Sequence, residues 1–157
     1  MTENHELDTA TQVFFYEREY YFLSNLAAFR LHWKGIDHDT SEAAYHCEKF
    51  PHLPDFQQRI RSARSAHDAF ELAQTRKDDM REDWYDVRVT IMRSILRAKC
   101  EQHEHIRLKL LESGERELIE DSWRDSFWGW GPNRDGQNVL GKLWMEIRSE
   151  LKSSGAS

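Results

Sequence analysis

From Ser41 onward, apolar residues recur at steps of three and four, the spacing of one face of an α-helix. The strongest run sets Trp84, Val87, Ile91 and Ile95 in register, with Met92 and Leu96 beside them. Leu140, Leu143, Trp144, Ile147 and Leu151 predict a closing amphipathic helix, and Ile106, Leu110 and Leu111 a shorter one ended by Gly114. Start signals predict three more helices ahead of these. Ser41 is placed to cap a helix over residues 42–50 that Pro51 stops, and Asp55 to cap one carrying Phe56, Ile60 and Ala63. Ser65 with Asp68 opens a third, with Ala66, Phe70 and Ala73 turned inward. Near the start the period changes to two. Residues 29–38 alternate around Leu31, Trp33 and Ile36 with Lys34 and Gly35 as the turn, and the aromatic-rich residues 13–25 read as strand, turn and close-packed loop. The two stretches together predict a small antiparallel sheet, and residues 117–121 a short strand. The expected fold is mainly α (α+β): a compact single-domain helical fold with a small antiparallel β element near the N-terminus. Residues 13–151 form the expected domain, with flexible termini at 1–12 and 152–157.

Composition narrows the function classes. A chain of 157 residues with 39% apolar and 12% aromatic content can bury a core, about two thirds of its unfolded surface at this size. No apolar run approaches the roughly 20 residues of a membrane span, and the polar, acidic start resembles neither a signal nor a transit peptide. The expected location is the cytoplasm, with no membrane partner. Cys47 and Cys100 form no CxxC pair or zinc spacing and read as small hydrophobes. His103 and His105, two apart on a helix, fall on different faces, so no metal site is expected. A net charge of −6 argues against general nucleic-acid binding, although Arg59, Arg61, Arg64, Arg76 and Arg81 give mid-chain a local basic bias.

Two stretches carry candidate chemistry. In the helix at 42–50, Ala43, Ala44, Cys47 and Phe50 can pack inward, while Glu42, Tyr45 and Lys49 share another face. Glu42 and Lys49 lie about 10 Å apart along a helix axis, too far for a simple ion pair and suited to flanking a sugar ring. The bland reading is that each complements the helix dipole at its own end. The second stretch, DSFWGWGPNRDGQNVLG at 125–141, holds four of the seven glycines and two of the six tryptophans. That mixture suggests a loop touching something flat and something charged.

FLSN, TSEAAYHCEKF, the stretch from Arg81 to Trp84, and RDSFWGWGPNRDGQNVLG before an amphipathic helix resemble, in order and spacing, the NADAR (YbiA-like) family. The resemblance covers roughly residues 13–151. It implies a small, mainly helical protein that cleaves N-glycosidic bonds without metal or organic cofactor. One branch of the family releases a pyrimidine base from ribose phosphate in early riboflavin-pathway intermediates, and another removes ADP-ribose from guanine in nucleic acid. The implied partner is a small phosphorylated ribosyl-base or an ADP-ribosyl substrate, including ADP-ribosylated nucleic acid. The family's acidic position falls on Glu42 and its lysine on Lys49. Its serine–asparagine turn falls on Leu23, Ser24 and Asn25, and its loop segments on Asp125, Trp128, Gly129 and Gly131, then Gly136, Asn138, Leu140 and Gly141. Two positions depart from the pattern. Ala43 stands where the family usually has His, and His46 where it often has Gln.

On this basis Glu42, Lys49 and Asp125 are the expected catalytic residues. A carboxylate stabilises the oxocarbenium-like ribose or activates water, and a proton donor helps the base depart. Lys49 binds phosphate or a ribose hydroxyl as a cation, or attacks an opened ribose as a Schiff-base nucleophile. Trp128 is a base platform or a core aromatic. Gly129 and Gly131 allow close backbone approach to phosphate. Asn138 caps the last helix, whose N-terminus favours an anion, or does nothing more than cap. Asp125 is equally a loop-bonding residue. Arg76 and Arg81 clamp phosphate or lie on solvated surface. Ser24, Asn25, Tyr45 and Trp84 complete the expected binding set. The loop is expected as one wall of a ribose-nucleobase pocket and the 42–49 helix as the other. Two other classes remain at this level: a non-catalytic ADP-ribose or nucleotide-binding module, and a helical protein whose tryptophan-rich loop binds another protein.

Overall fold

The computed structural model describes residues 9–15, 18–122 and 124–154. In chain order the elements are β1 (Gln12–Phe14), β2 (Leu31–Trp33), β3 (Ile36–His38), α1 (Ser41–Cys47), α2 (Pro54–Arg61), α3 (Ala66–Gln74), α4 (Trp84–Gln102), α5 (Glu104–Glu112), β4 (Glu117–Ile119) and α6 (Val139–Ser153). Short 3-10 turns cover Arg18–Leu23 and Lys77–Asp79. The fold is mainly α with small β elements. Of the expected flexible termini, residues 1–8 and 155–157 lie outside the described residues. Gln12 already belongs to β1, and Lys152 and Ser153 to α6. The chain divides into two compact units, residues 25–102 and residues 1–24 with 103–157.

In the 25–102 unit, β2 and β3 form the expected antiparallel hairpin, Leu31 pairing His38 and Trp33 pairing Ile36. Lys34 and Gly35 both take positive φ, 50° and 81°, the turn whose twist matches that of the flanking strands. Helix α1 packs against α2, α3, α4 and both hairpin strands. Its inward side, Ala43, Cys47 and the following Phe50, joins Phe56, Ile60, Ala69 and Ala73 in one apolar cluster. Phe50 meets Phe56 edge-on at 4.8 Å between ring centroids. Three local expectations shift. Thr40, not Ser41, caps α1, its hydroxyl accepting from Ala43 N at 3.1 Å. Leu53 occupies the cap position of α2, because Pro54 takes the first helical place, where it needs no N–H partner. Phe70 is 40% exposed and Ala69 is fully buried in its stead, so Ala66, Ala69 and Ala73 form the inward stripe of α3. Ser65 caps that helix as expected, accepting from Asp68 N. On α4 the buried positions are Trp84, Met92, Ile95, Leu96, Lys99 and Cys100, while Val87 and Ile91 are half-buried.

In the other unit, β1 pairs in parallel with β4, Gln12 opposite Glu117 and Phe14 opposite Ile119. This corrects the single antiparallel sheet: the N-terminal strand and the hairpin belong to separate two-stranded sheets. The aromatic-rich start does hold a strand, but its partner comes from far along the chain. Helix α6 covers β4 and packs on α5. Trp144 is fully buried on it and donates its indole N–H to Leu23 O at 2.9 Å. Buried Arg148 ties the α5–β4 connection down, reaching Ser113 Oγ at 2.7 Å and Arg116 O at 2.8 Å.

Candidate active site

The start of α1 is held from outside the helix. Glu42 N donates to Asn25 O at 3.1 Å, and Ser41 Oγ donates to Asn25 Oδ1 at 3.1 Å. Asn25 is itself buried, with its amide nitrogen against Met92 Sδ at 3.5 Å. From this anchored turn Glu42 reaches along the helix to His46, Oε1 to Nε2 at 2.7 Å, an i,i+4 pair. His46 is 2% exposed. Past the end of α1 the backbone tightens to three-residue bonds, Lys49 N to His46 O and Phe50 N to Cys47 O. Lys49 O then accepts from Arg81 N at 2.8 Å. Lys49 is only 8% exposed. Its ammonium lies 5.4 Å from the Tyr45 ring and 5.7 Å from the Trp84 ring, and those rings pack 5.0 Å apart. The structure thus brings together Glu42, Tyr45, Lys49 and Trp84, and adds His46.

These burials move the charges. Burial pushes the Lys49 ammonium down to about 8, against the opposing pull of Glu42 and with a smaller push from Arg88. Burial pushes His46 down too, which Glu42 only partly offsets. A neutral His46 carries its proton on Nε2, because the atom it faces is a carboxylate oxygen. Its Nδ1 is buried and has no hydrogen-bond partner among the described residues. Burial alone would raise Glu42, yet the field and hydrogen bond of His46 and the field of Lys49 hold it below the usual carboxylate range. The site therefore keeps an ionised carboxylate beside an amine poised near neutrality.

Both candidate arginines make local ion pairs. Arg76 pairs with Asp79 at 3.0 Å and lies over the Phe56 ring, and Arg81 holds Asp83 by two bonds, 2.5 and 3.0 Å. Arg81 also contributes through its main chain, at Lys49 O.

Ser24, Asp125, Trp128, Gly129, Gly131 and Asn138 lie in the other unit. Ser24 is buried, its N–H bonded to Tyr21 O. Asp125 bonds the loop: its Oδ1 accepts from Phe127 N at 2.9 Å and Trp128 N at 2.8 Å. The loop then fastens to itself, with Gln137 N on Ser126 O, Asn138 N on Gly129 O and Leu140 N on Trp128 O. Close approach at the glycines is by the chain's own backbone. A Cβ on Gly129 would stand 2.8 Å from Glu120 O, and Gly131 has φ +73° over Ser126. Half-buried Trp128 meets Phe127 edge-on at 4.8 Å. Trp130 packs on Phe14 and donates to Asp121. Asn138 departs from expectation most clearly. It precedes α6 at φ 51°, and its side chain makes no cap bond. The left-handed backbone turns the amide toward β4 instead, where Oδ1 accepts from Glu120 N at 2.8 Å and Nδ2 donates to Leu118 O at 2.9 Å.

The family model of the NADAR domain matches residues 14–152. The chain belongs to the NADAR family. It is 34% identical over 145 residues to the N-glycosidase YbiA of Escherichia coli, covering 92% of this chain and 89% of that protein. It is 36% identical over 142 residues to a riboflavin biosynthesis protein of Vibrio vulnificus, covering 89% of this chain but 38% of the longer relative. The NMR structure of E. coli YbiA superposes with a TM-score of 0.84 at 32% identity, covering 96% of this chain and 90% of that one.

The two departures from the NADAR pattern now have physical settings. Ala43 is buried in the cluster with Ala69 and Ala73, where a small side chain lets α1 and α3 close up. His46, where the family often has Gln, supplies an N–H to Glu42, as a Gln amide can. The role of His46 escaped the sequence reading, although its i,i+4 offset from Glu42 was a legible signal. Among the described residues no group of three His, Cys, Asp or Glu could hold a metal ion, and no helix is long and apolar enough to cross a membrane.

Proposed function

We propose that this chain, an N-glycosidase as its relatives are, hydrolyses the bond between a ribose phosphate and an aminopyrimidine base. Half-buried Glu42, held by the buried imidazole of His46 beside buried Lys49, carries the reading. A pure binding module has no use for an ionised carboxylate held by a buried imidazole next to an amine whose pKa is about 8. The names of the Vibrio and maize relatives, both riboflavin biosynthesis proteins, support this substrate class. The net charge of −6 favours a small substrate over a nucleic-acid strand.

In this reading Glu42 faces the anomeric carbon. As the C1–N bond breaks, its charge stabilises the oxocarbenium-like ribose, water adds at C1, and the base leaves with a proton. His46 orients Glu42 and keeps it ionised. Tyr45 and Trp84 shield Lys49 from water. Lys49 either holds the phosphate as a cation or, in its neutral form, attacks C1 of the ring-opened ribosyl-base; the C1–N bond to the base breaks, the base leaves with the proton the amine gives up, and water hydrolyses the resulting imine to the ribose aldehyde and free Lys49. Asp125 serves by fixing the backbone of Trp128.

The test offers purified protein a ribosylaminopyrimidine phosphate and, separately, ADP-ribosylated guanine, following base release by mass spectrometry. Glu42→Gln and Lys49→Met serve as controls. Release from the first substrate, lost in both variants, is the expected result. Release only from the second moves the protein to the ADP-ribosyl branch, and release from neither overturns the enzymatic reading. Borohydride added during turnover links substrate to Lys49 if the imine route operates. Without that link, Lys49 acts as a cation.

A further inference from the structure

A cavity of about 400 Å³ lies within the 25–102 unit, and none of Glu42, Tyr45, His46, Lys49 and Trp84 lines it. On α1 it is lined by Thr40 and Ala43. At about 100° per residue these lie on roughly the opposite side of the helix from Glu42, Tyr45 and Lys49. Its apolar floor includes Ile60 and alanines from α1 and α3, short side chains that leave the space open. Three arginines line it, Arg30, Arg61 and Arg64, against one carboxylate, Asp39. Among the lining residues cations outnumber carboxylates in a chain of net charge −6, with Asp37 a further carboxylate within the field of Arg30.

The positive field reaches inward. Burial is the first cause that pushes His38 down and Cys47 up, and in both the next is the charge of Arg61, which disfavours a proton on either group. Glu48, a buried carboxylate whose charge acts on the same two groups, is taken up by Trp33 Nε1 at 2.9 Å and Lys34 Nζ at 3.0 Å. The hydroxyls of Thr40 and Ser65 at the cavity already accept helix-cap bonds. Each keeps its O–H to donate, and the charge that recognises an anion comes from the guanidinium groups, which suit the oxygens of a phosphate. The volume is within the range of small-molecule sites, and the apolar floor suits a flat, uncharged body.

We propose that this cavity is a second small-molecule site, taking a phosphate monoester with a compact flat body. It does not depend on the N-glycosidase reading. An occupant would rest against Thr40 and Ala43, on the helix that presents Glu42 from its other side.

Phenyl phosphate is the probe, titrated into 15N-labelled full-length protein at constant ionic strength, with inorganic phosphate and phenol as separate arms. The expected result is saturable shifts of backbone amides at 39–43 and 61–69 with phenyl phosphate, weaker ones with inorganic phosphate, and none with phenol. The Arg61→Gln/Arg64→Gln double variant, showing an otherwise native spectrum, should bind at least about tenfold more weakly. Lys49→Met should bind unchanged. Four results would each overturn the proposal: no saturable shift in those segments, shifts confined to the surroundings of Lys49, equal binding by the double variant, or inorganic phosphate or phenol binding as well as the ester.

Discussion

Lys49→Met is expected to stabilise the protein while abolishing base release. Methionine keeps an unbranched apolar stem between Tyr45 and Trp84 and removes the charge. The magnitude follows from the Lys49 pKa, pushed down to about 8 from an ordinary 10.5, chiefly by burial. Each tenfold loss of proton affinity corresponds to about 1.4 kcal/mol, so holding the ammonium in its buried niche costs about 3 kcal/mol at neutral pH. The direction with pH is fixed by proton counting. Below about 8 the folded and unfolded chains both carry the proton, and the full cost is present. Between about 8 and 10.5 the unfolded chain keeps a proton that the folded chain has released, so wild-type stability rises with pH and the cost fades. Part of the gain in the variant is offset by lost contacts around the ammonium. The expected net gain at pH 7 is therefore about 1–3 kcal/mol, or roughly 3–10 °C in Tm for a chain of this size. Urea unfolding of both proteins at pH 7, 8, 9 and 10 measures it. The variant's advantage should be greatest at pH 7 and shrink steadily above pH 8. If Lys49 were instead a stabilising partner of Glu42, Lys49→Met would be the less stable protein at pH 7. That result, or an advantage independent of pH, would refute the reasoning.

Other expectations are local. His46→Leu removes the hydrogen bond to Glu42 but leaves the carboxylate partly desolvated, so the Glu42 pKa should rise. The acidic limb of the kcat/KM profile should move to higher pH with it, while His46→Gln, which keeps an N–H donor, should restore the wild-type profile. Asn138→Ala strands Glu120 N–H and Leu118 C=O in the interior, and it should cost about 2–4 kcal/mol in urea unfolding. Asp125→Ala should cost about 1–2 kcal/mol by releasing two loop amides. Asp125→Asn keeps the accepting oxygen and should retain most of that stability. If its base release nevertheless collapses, the carboxylate takes part in the chemistry and Asp125 is more than a loop fastener.

Much of the secondary structure was legible because its causes are local. The apolar period places α4 and α6, Ser65 and Asp68 mark the start of α3, and Lys34 and Gly35 close the hairpin, each within a few residues of its signal. The shared face of Glu42, Tyr45 and Lys49 is likewise a consequence of helical spacing. Trp84 joined the candidate set through a motif, and only the packing of α1 on α4 sets its ring against Tyr45. Other features depended on distant parts of the chain. Gln12 pairs with Glu117 across 105 residues, and no local pattern identifies such a partner. The glycines and Asn138 of the 125–141 loop read as ligand contacts in one dimension; the fold adds that Asn138 bonds Leu118 O and Glu120 N and that Gly129 and Gly131 lie close to Glu120 and Ser126. The same holds for chemistry. Sequence by itself determined which ionisable groups share a helix face. Only the tertiary structure decided their charges, because the desolvation that lowers Lys49 and the imidazole that holds Glu42 ionised exist only once α1 is buried against its neighbours.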